Sequence, residues 1–306
     1  MYSGMPTLFL IICFLLSILT GCTKTETTPP KKVSQEKVLV IGVVPEQNIF
    51  EEMHRYEPLA DYLSDKVGAK IKLKALTQYG NVIDNFFSLG LDGAFFGSFT
   101  YALAHSKLGL EVLARPEYID GISTYHGLLF VRKDSGIRTG KDMRGKKFAF
   151  VDKATTAGYL HPLAYFEKHG IKNYKTYLSE TYFAGTHGDA INDVLNKRAD
   201  IGAAKNTVFE RMAQTDNRIK NELIILDMSP DVPENGLAVR KDLDDSVKKK
   251  LKDVLLNMHN DPNGRSVLKN FGAGRFIETT DKDYDPVYKY AKDIGLNLAN
   301  YDYANK

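Results

Sequence analysis

From Lys37 onward the chain alternates short apolar runs with segments of helical periodicity, and this alternation leaves few folds open. Residues 38–44 form a near-continuous apolar run, as expected of a strand buried on both faces. Residues 51–67 follow with apolar side chains at helical spacing (Tyr56, Leu59, Ala60, Leu63, Val67) and stop at Gly68. The pattern then predicts strands over 71–76, 93–96, 111–115 and 125–131, with helices over 81–89 and 99–108. A second set predicts strands over 147–151, 176–183, 201–204, 222–226 and 237–240, and helices over 158–169, 189–196 and 206–213. Helices over 244–258, 262–270 and 286–294 finish the chain. Such alternation implies α/β layers with a mostly parallel sheet. One internal echo stands out: Gly127-Leu-Leu-Phe-Val-Arg-Lys-Asp134 resembles Gly236-Leu-Ala-Val-Arg-Lys-Asp242. It reads either as two side-by-side chain crossings between lobes or as a coincidence between short strands.

The front end has a different character. Residues 8–19 are twelve uncharged, mostly apolar residues, too short a run to span a bilayer, which needs roughly 20. That length suits the core of a signal peptide, although the first seven residues carry no Lys or Arg. Leu19-Thr20-Gly21-Cys22 resembles the lipobox of bacterial lipoproteins. The resemblance implies removal of residues 1–21, lipidation of Cys22, and export with a lipid tether to the membrane. A buried apolar N-terminal helix is the alternative. Residues 23–36, rich in Thr, Pro, Lys, Ser and Gln without periodicity, read as the flexible tether.

The remaining 285 or so residues exceed what one compact core usually holds, so two lobes are expected. The net charge of +3 is small and unconcentrated, which argues against nucleic acid as a partner. The only cysteines are Cys13 and Cys22, leaving the expected mature chain no second thiol for a disulfide, a thiolate metal site or a nucleophile. Enzyme motifs fail as well. The run from Gly140 to Lys147 nearly fits a phosphate-binding loop, but Lys147 stands where Ser or Thr would hold magnesium, and the segment enters a strand. There is no G-x-S-x-G, no H-E-x-x-H and no G-x-G-x-x-G after a strand. No cofactor and no metal are expected.

Polar residues gather instead at strand-to-helix junctions. The clearest is Asp152-Lys-Ala-Thr-Thr-Ala-Gly-Tyr159, where two hydroxyls and free backbone N–H groups converge at a helix start. Such a start favours an anion, because its first N–H groups lack partners and the macrodipole is positive there. Thr155 or Thr156 could equally serve only as a helix cap. Three further junctions are the run from Phe96 to Tyr101, Tyr79-Gly-Asn81, and Gly185-Thr-His-Gly-Asp189. The carboxyl edge of strands is where open α/β sheets bind ligands, and four such junctions suggest a shared cleft.

On these residues the chain resembles the substrate-binding proteins of phosphate/phosphite/phosphonate ABC transporters, with a type 2 periplasmic-binding-protein fold. The resemblance covers Gly42-Val-Val-Pro45, Tyr56-Glu-Pro-Leu-Ala-Asp-Tyr-Leu63, Asp92-Gly-Ala-Phe-Phe-Gly-Ser-Phe-Thr-Tyr101, Gly145-Lys-Lys-Phe-Ala-Phe150 and Asp283-Tyr-Asp-Pro-Val-Tyr288. It implies two α/β lobes, each with a mixed sheet flanked by helices, joined by two crossing strands. Lobe one is expected to combine 37–135 with 221–306, and lobe two to span 136–220. The family's Ser-Thr-Ser-Gly oxyanion turn corresponds here to Thr155-Thr156-Ala157-Gly158, one hydroxyl short. By the same resemblance Tyr79, Ser98, Tyr125 and His187 are ligand contacts. The positions of the carboxylates that pair with an aminophosphonate's ammonium fall near Lys205 and Asn235, neither acidic. If Lys205 faces the cleft it would repel an ammonium and attract a second negative charge; otherwise it points to solvent. The resemblance therefore implies a non-enzymatic, extracytoplasmic binding protein that hands phosphate, phosphite or a simple phosphonate, and not 2-aminoethylphosphonate, to an ABC permease. A ligand sensor for a membrane signalling protein would use the same cleft.

Overall fold

The computed structural model describes residues 37–305, so the expected signal peptide, the tether and Cys22 lie outside the described residues. Thirteen strands are described. They are β1 (Val38–Val43), β2 (Lys70–Ala75), β3 (Gly93–Phe96), β4 (Glu111–Glu117), β5 (Thr124–Tyr125), β6 (Gly127–Arg132), β7 (Lys147–Phe150), β8 (Glu180–Phe183), β9 (Ile201–Lys205), β10 (Leu223–Met228), β11 (Val232–Pro233), β12 (Gly236–Val239) and β13 (Arg275–Glu278). The α-helices are α1 (Ile49–Val67), α2 (Asn81–Asn85), α3 (Ser98–Leu108), α4 (His161–Lys168), α5 (Tyr174–Tyr177), α6 (His187–Leu195), α7 (Asn206–Thr215), α8 (Asn217–Glu222), α9 (Asp245–Asn257), α10 (Pro262–Phe271) and α11 (Asp285–Asp293).

Two sheets form the lobes. The first has the order β13-β4-β12-β3-β1-β2 and the second β10-β6-β9-β7-β8. Both are mixed rather than mostly parallel: β1 pairs parallel with β2 and β3, whereas β12 runs antiparallel to β3 and β4. In the second sheet β7 is parallel to β8 and β9, and β6 is antiparallel to β9 and β10. The reason lies in the chain's path. β1, β3, β7 and β9 end at the junction residues, while β6 and β12 begin there, with Gly127 opposite Lys205 and Gly236 opposite Phe96.

This corrects the reading of the internal echo. β6 and β12 are not the crossings and do not lie side by side, because they belong to different sheets. The crossings are the residues just before them, β5 and β11, which pair antiparallel through Tyr125–Val232 and Thr124–Pro233. The echo instead marks the first strand of each lobe after the ribbon. The expected lobe boundaries at 135/136 and 220/221 shift accordingly, since β6 and β10 lie in the second sheet.

Local sequence accounts for most elements. Asn48 caps α1 by accepting from Phe50 N at 2.9 Å, and Gly68 closes it with φ +75°. Pro58 inside α1 cannot donate to the carbonyl of His54; Asn270 Nδ2 from α10 donates there instead, at 3.4 Å. The buried stripe Tyr56, Leu59, Ala60 and Leu63 packs with Phe271, Leu251 and Leu255. Three expectations differ. The strand expected over 176–183 begins as helix α5, because Asn173 caps it by accepting from Lys175 N. The helix expected over 81–89 ends at Asn85 and continues as turns. The edge strand β13 and the short α8 were not expected.

Candidate functional site

The junctions meet between the sheets. Glu46 follows β1, Ser98 opens α3 after β3, Thr155 and Thr156 follow β7, His187 opens α6 after β8, and Lys205 ends β9. Asn235 lies between β11 and β12. Together with Tyr79, Gly97, Thr100 and Tyr125, these groups, Ser98 excepted, enclose a small cavity of ≈ 10 Å³, about the room of one water molecule. Of the expected site residues, Tyr79, Tyr125, Thr155, Thr156, His187, Lys205 and Asn235 line it directly.

Hydroxyl groups from both lobes form its floor. Thr156 Oγ1 accepts from Phe99 N at 3.1 Å and lies 2.9 Å from Ser98 Oγ, which lies 2.7 Å from Tyr125 OH. Ser98 thus sits behind the lining, between two groups that face the cavity. Thr155 Oγ1 donates to Asp152 O at 2.6 Å, so its proton is already committed and its remaining role is that of an acceptor. Thr100 Oγ1 donates across the lobes to Ala154 O at 2.8 Å. The turn itself is a π-helical Thr156–Leu160 that runs into α4, and its first N–H groups have no carbonyl one turn back to bond. The Ala157 side chain does not line the cavity. Its backbone lies against the start of β6, where a Cβ on Gly127 would come within 3.0 Å of Ala157 Cα. Only its backbone N–H is left as a contact. Gly158 serves packing as well: a Cβ there would meet Val151 Cβ at 2.3 Å.

Two aromatic donors face one another at the side. Tyr79 is 2% exposed, and its hydroxyl has no hydrogen-bond partner among the described residues. Burial holds this phenol well above its ordinary pKa, so it is a neutral donor. Its ring meets the His187 ring edge-on at 6.0 Å between centroids. Lys205 N donates to His187 Nδ1 at 3.2 Å, which leaves the proton on Nε2. Burial, with help from the Lys205 and Arg211 charges, lowers the His187 pKa to about 3, so the imidazole is neutral.

Lys205 faces inward and is 2% exposed. Its Nζ donates to Glu46 Oε1 at 2.7 Å, to Glu234 Oε1, and to Asn235 Oδ1 at 3.1 Å. It also sits 4.4 Å from the centroid of the Tyr125 ring. Burial would lower its pKa, but Glu234 and Glu46 outweigh that and raise it. Burial likewise pushes Glu46 up, yet Lys205 and Arg211 bring it down to about 2. Here the expectation needs correction. The neighbourhood of Lys205 and Asn235 is acidic after all, and the Lys205 charge is matched by carboxylates, so it does not stand free to attract a second negative charge.

Gly97 and Thr100 belong to the expected junction from Phe96 to Tyr101, whereas Glu46 and Glu234 are the residues that sequence reasoning missed. Glu46 was within reach: it follows Pro45 at the end of the first strand, the same kind of junction that drew attention to the others. Behind it, Arg211 Nε from the second lobe donates to Gln47 Oε1 at 2.7 Å. Its Nη2 lies 3.8 Å from Glu46 and 3.9 Å from Glu52.

The chain is similar to known proteins over most of its length. The family model described as ABC transporter, phosphonate, periplasmic substrate-binding protein matches residues 41–284. The phosphonates-binding periplasmic protein of Escherichia coli strain K12 is 25% identical over 272 residues, covering 87% of this chain and 80% of that protein. A binding-protein component of a Pseudomonas aeruginosa ABC phosphonate transporter superposes with a TM-score of 0.78 at 22% identity, covering 85% of this chain and 87% of that one. PhnD1 of Prochlorococcus marinus, solved in complex with methylphosphonate, gives 0.74 at 22% identity, covering 84% and 98%. The family is one of transporter substrate-binding proteins and not of enzymes. With most of the chain inside the family model and the same two-lobed fold in its neighbours, the protein belongs to the periplasmic substrate-binding proteins of phosphonate ABC transporters.

Proposed function

We propose that this chain captures a compact phosphorus oxyanion such as methylphosphonate, phosphite or phosphate between its lobes and delivers it to an ABC permease. The observation that carries this is the Tyr79 hydroxyl, buried without a partner among the described residues, in a cavity that it shares with the hydroxyls of Thr100, Tyr125, Thr155 and Thr156, with His187 and a helix start, and with the Glu46–Lys205–Asn235 cluster on one side. A buried donor without an acceptor costs roughly 1–3 kcal/mol, which an anionic oxygen would recover. Thr156, the N–H groups of Thr156 and Ala157, and His187 Nε2 supply further donors, each stronger toward a charged acceptor than a neutral one. Ser98 from the first lobe supports Thr156, backed in turn by Tyr125 from the ribbon. The Prochlorococcus marinus relative binds methylphosphonate, which makes that ion the first probe.

The ligand would replace the hydroxyl contacts that Thr156 makes across the lobes, so capture and closure are one event. Calorimetry tests this. Methylphosphonate should bind with one site per chain, and Thr156→Ala should weaken it roughly tenfold or more, the loss of one charge-assisted hydrogen bond. An unchanged dissociation constant in Thr156→Ala would remove the cradle from the account. The lipobox-like Leu19-Thr20-Gly21-Cys22 supports lipid anchoring at Cys22 on the outer face of a membrane. Cys22→Ser should then release the protein from the membrane fraction, and retention there would refute the anchor.

A further inference from the structure

The surroundings of Lys205 Nζ have the chemistry of a binding site for a primary ammonium. Two carboxylate oxygens, from Glu46 and Glu234, and one amide oxygen, from Asn235, take its three N–H donors. The face of Tyr125 closes the fourth side at 4.4 Å. Acceptors in matching number and an aromatic face are what selects an ammonium over water. The cage also adjoins the oxyanion cradle, because the Tyr125 hydroxyl lies 2.7 Å from Ser98 Oγ and through it reaches Thr156.

We propose that Lys205 is a resident ammonium that fills this cage and thereby restricts the ligand to phosphorus oxyanions without an amine. This rests on the oxyanion reading above and adds the selectivity device to it. The cage is complete: each Nζ proton has an acceptor, and both carboxylates are buried, so an incoming ammonium would have to expel a lysine that is covalently held in β9. Exclusion therefore follows from occupancy by the protein's own cation. A lack of carboxylates plays no part in it. Removing the lysine side chain leaves Glu46 and Glu234 buried without their shared cation, a strong demand for a replacement.

The test uses the full chain and its Lys205→Ala variant. In wild type, methylphosphonate should bind at least a hundredfold tighter than 2-aminoethylphosphonate. In Lys205→Ala the preference should shift by tenfold or more toward 2-aminoethylphosphonate. Methylammonium at millimolar levels should raise the melting temperature of the variant and leave wild type unmoved. Wild type that binds both phosphonates equally, or a folded variant that responds to neither methylammonium nor the aminophosphonate, overturns the proposal. If the variant fails to fold alone but folds with methylammonium, the cage is supported directly. A variant rescued by methylammonium, from a wild type that ignores methylphosphonate, would uphold the cage and sink the oxyanion reading instead. If Lys205→Ala folds under neither condition, the wild-type affinity ratio decides alone.

Discussion

At the scale of single residues, the site is a set of neutral donors in front of a compensated charge cluster. The cluster's weakest member is Glu52. It is fully buried, and neither carboxylate oxygen has a hydrogen-bond partner among the described residues. Arg55 lies 3.6 Å away and Arg211 3.9 Å, while Glu46 adds a like charge. Burial, reinforced by Glu46, raises the Glu52 pKa from 4.5 to about 7 despite the two arginines. The folded protein therefore holds this proton more tightly than the unfolded chain does. Its contribution to stability is fully present below pH 4.5, falls as pH rises toward 7, and is flat above. The span of that fall is about 3 kcal/mol. Glu52→Gln removes the titration. The variant's stability relative to wild type, measured by urea unfolding, should rise between pH 4.5 and pH 7 and then level off. A difference independent of pH would show that Glu52 is ionised throughout.

At the scale of elements, the turn after β7 is held close against the end of its own strand. Gly158 O accepts from Val151 N at 3.2 Å, pulling the π-turn against the end of the strand. Any side chain at 158 collides with Val151 and with Thr155 Oγ1, at 2.3 and 2.8 Å. Gly158→Ala should thus cost about 1–3 kcal/mol by overpacking and displace Thr156 from Ser98. Denaturant unfolding checks the first effect and methylphosphonate affinity the second; a variant as stable as wild type would contradict the packing role.

Much of this was readable in advance. Strand-to-helix junctions announce themselves through hydroxyls and glycines after an apolar run, which is how Thr155, Thr156, Ser98 and His187 were found. What the pattern hides is pairing across the chain. Glu46 and Glu234 are 188 residues apart in sequence and reach one ammonium only after folding. The orientation of β6 and β12 was equally hidden, because apolar runs look alike in parallel and antiparallel neighbours.

At the scale of the whole molecule, the lobes are tied at several places besides the ribbon, the Lys205–Glu46 and Arg211–Gln47 contacts among them. Thr156 and Ala154 bind the start of α3, Gly188 N donates to Glu46 O at 3.2 Å, and the C-terminal residues strap the two halves. In that strap Tyr303 OH donates to Asp84, while Asn305 Nδ2 donates to Asp152 Oδ2 at 2.8 Å and Ala304 O accepts from Lys153 Nζ at 2.6 Å. These ties are polar, while buried apolar residues of both lobes also join in one continuous cluster, Phe96 and Phe99 with Phe130 and Leu160 among them. A bound anion held between the lobes adds to the closed side alone.

The most direct check on the account is a crystal structure of the protein with methylphosphonate. The phosphonate oxygens should lie within hydrogen-bonding distance of Tyr79 OH, Thr156 and His187 Nε2, with Lys205 still held by Glu46 and Glu234. Methylphosphonate found instead in the open groove beside Arg211 and Asn192, with Tyr79 still unpartnered, would contradict it.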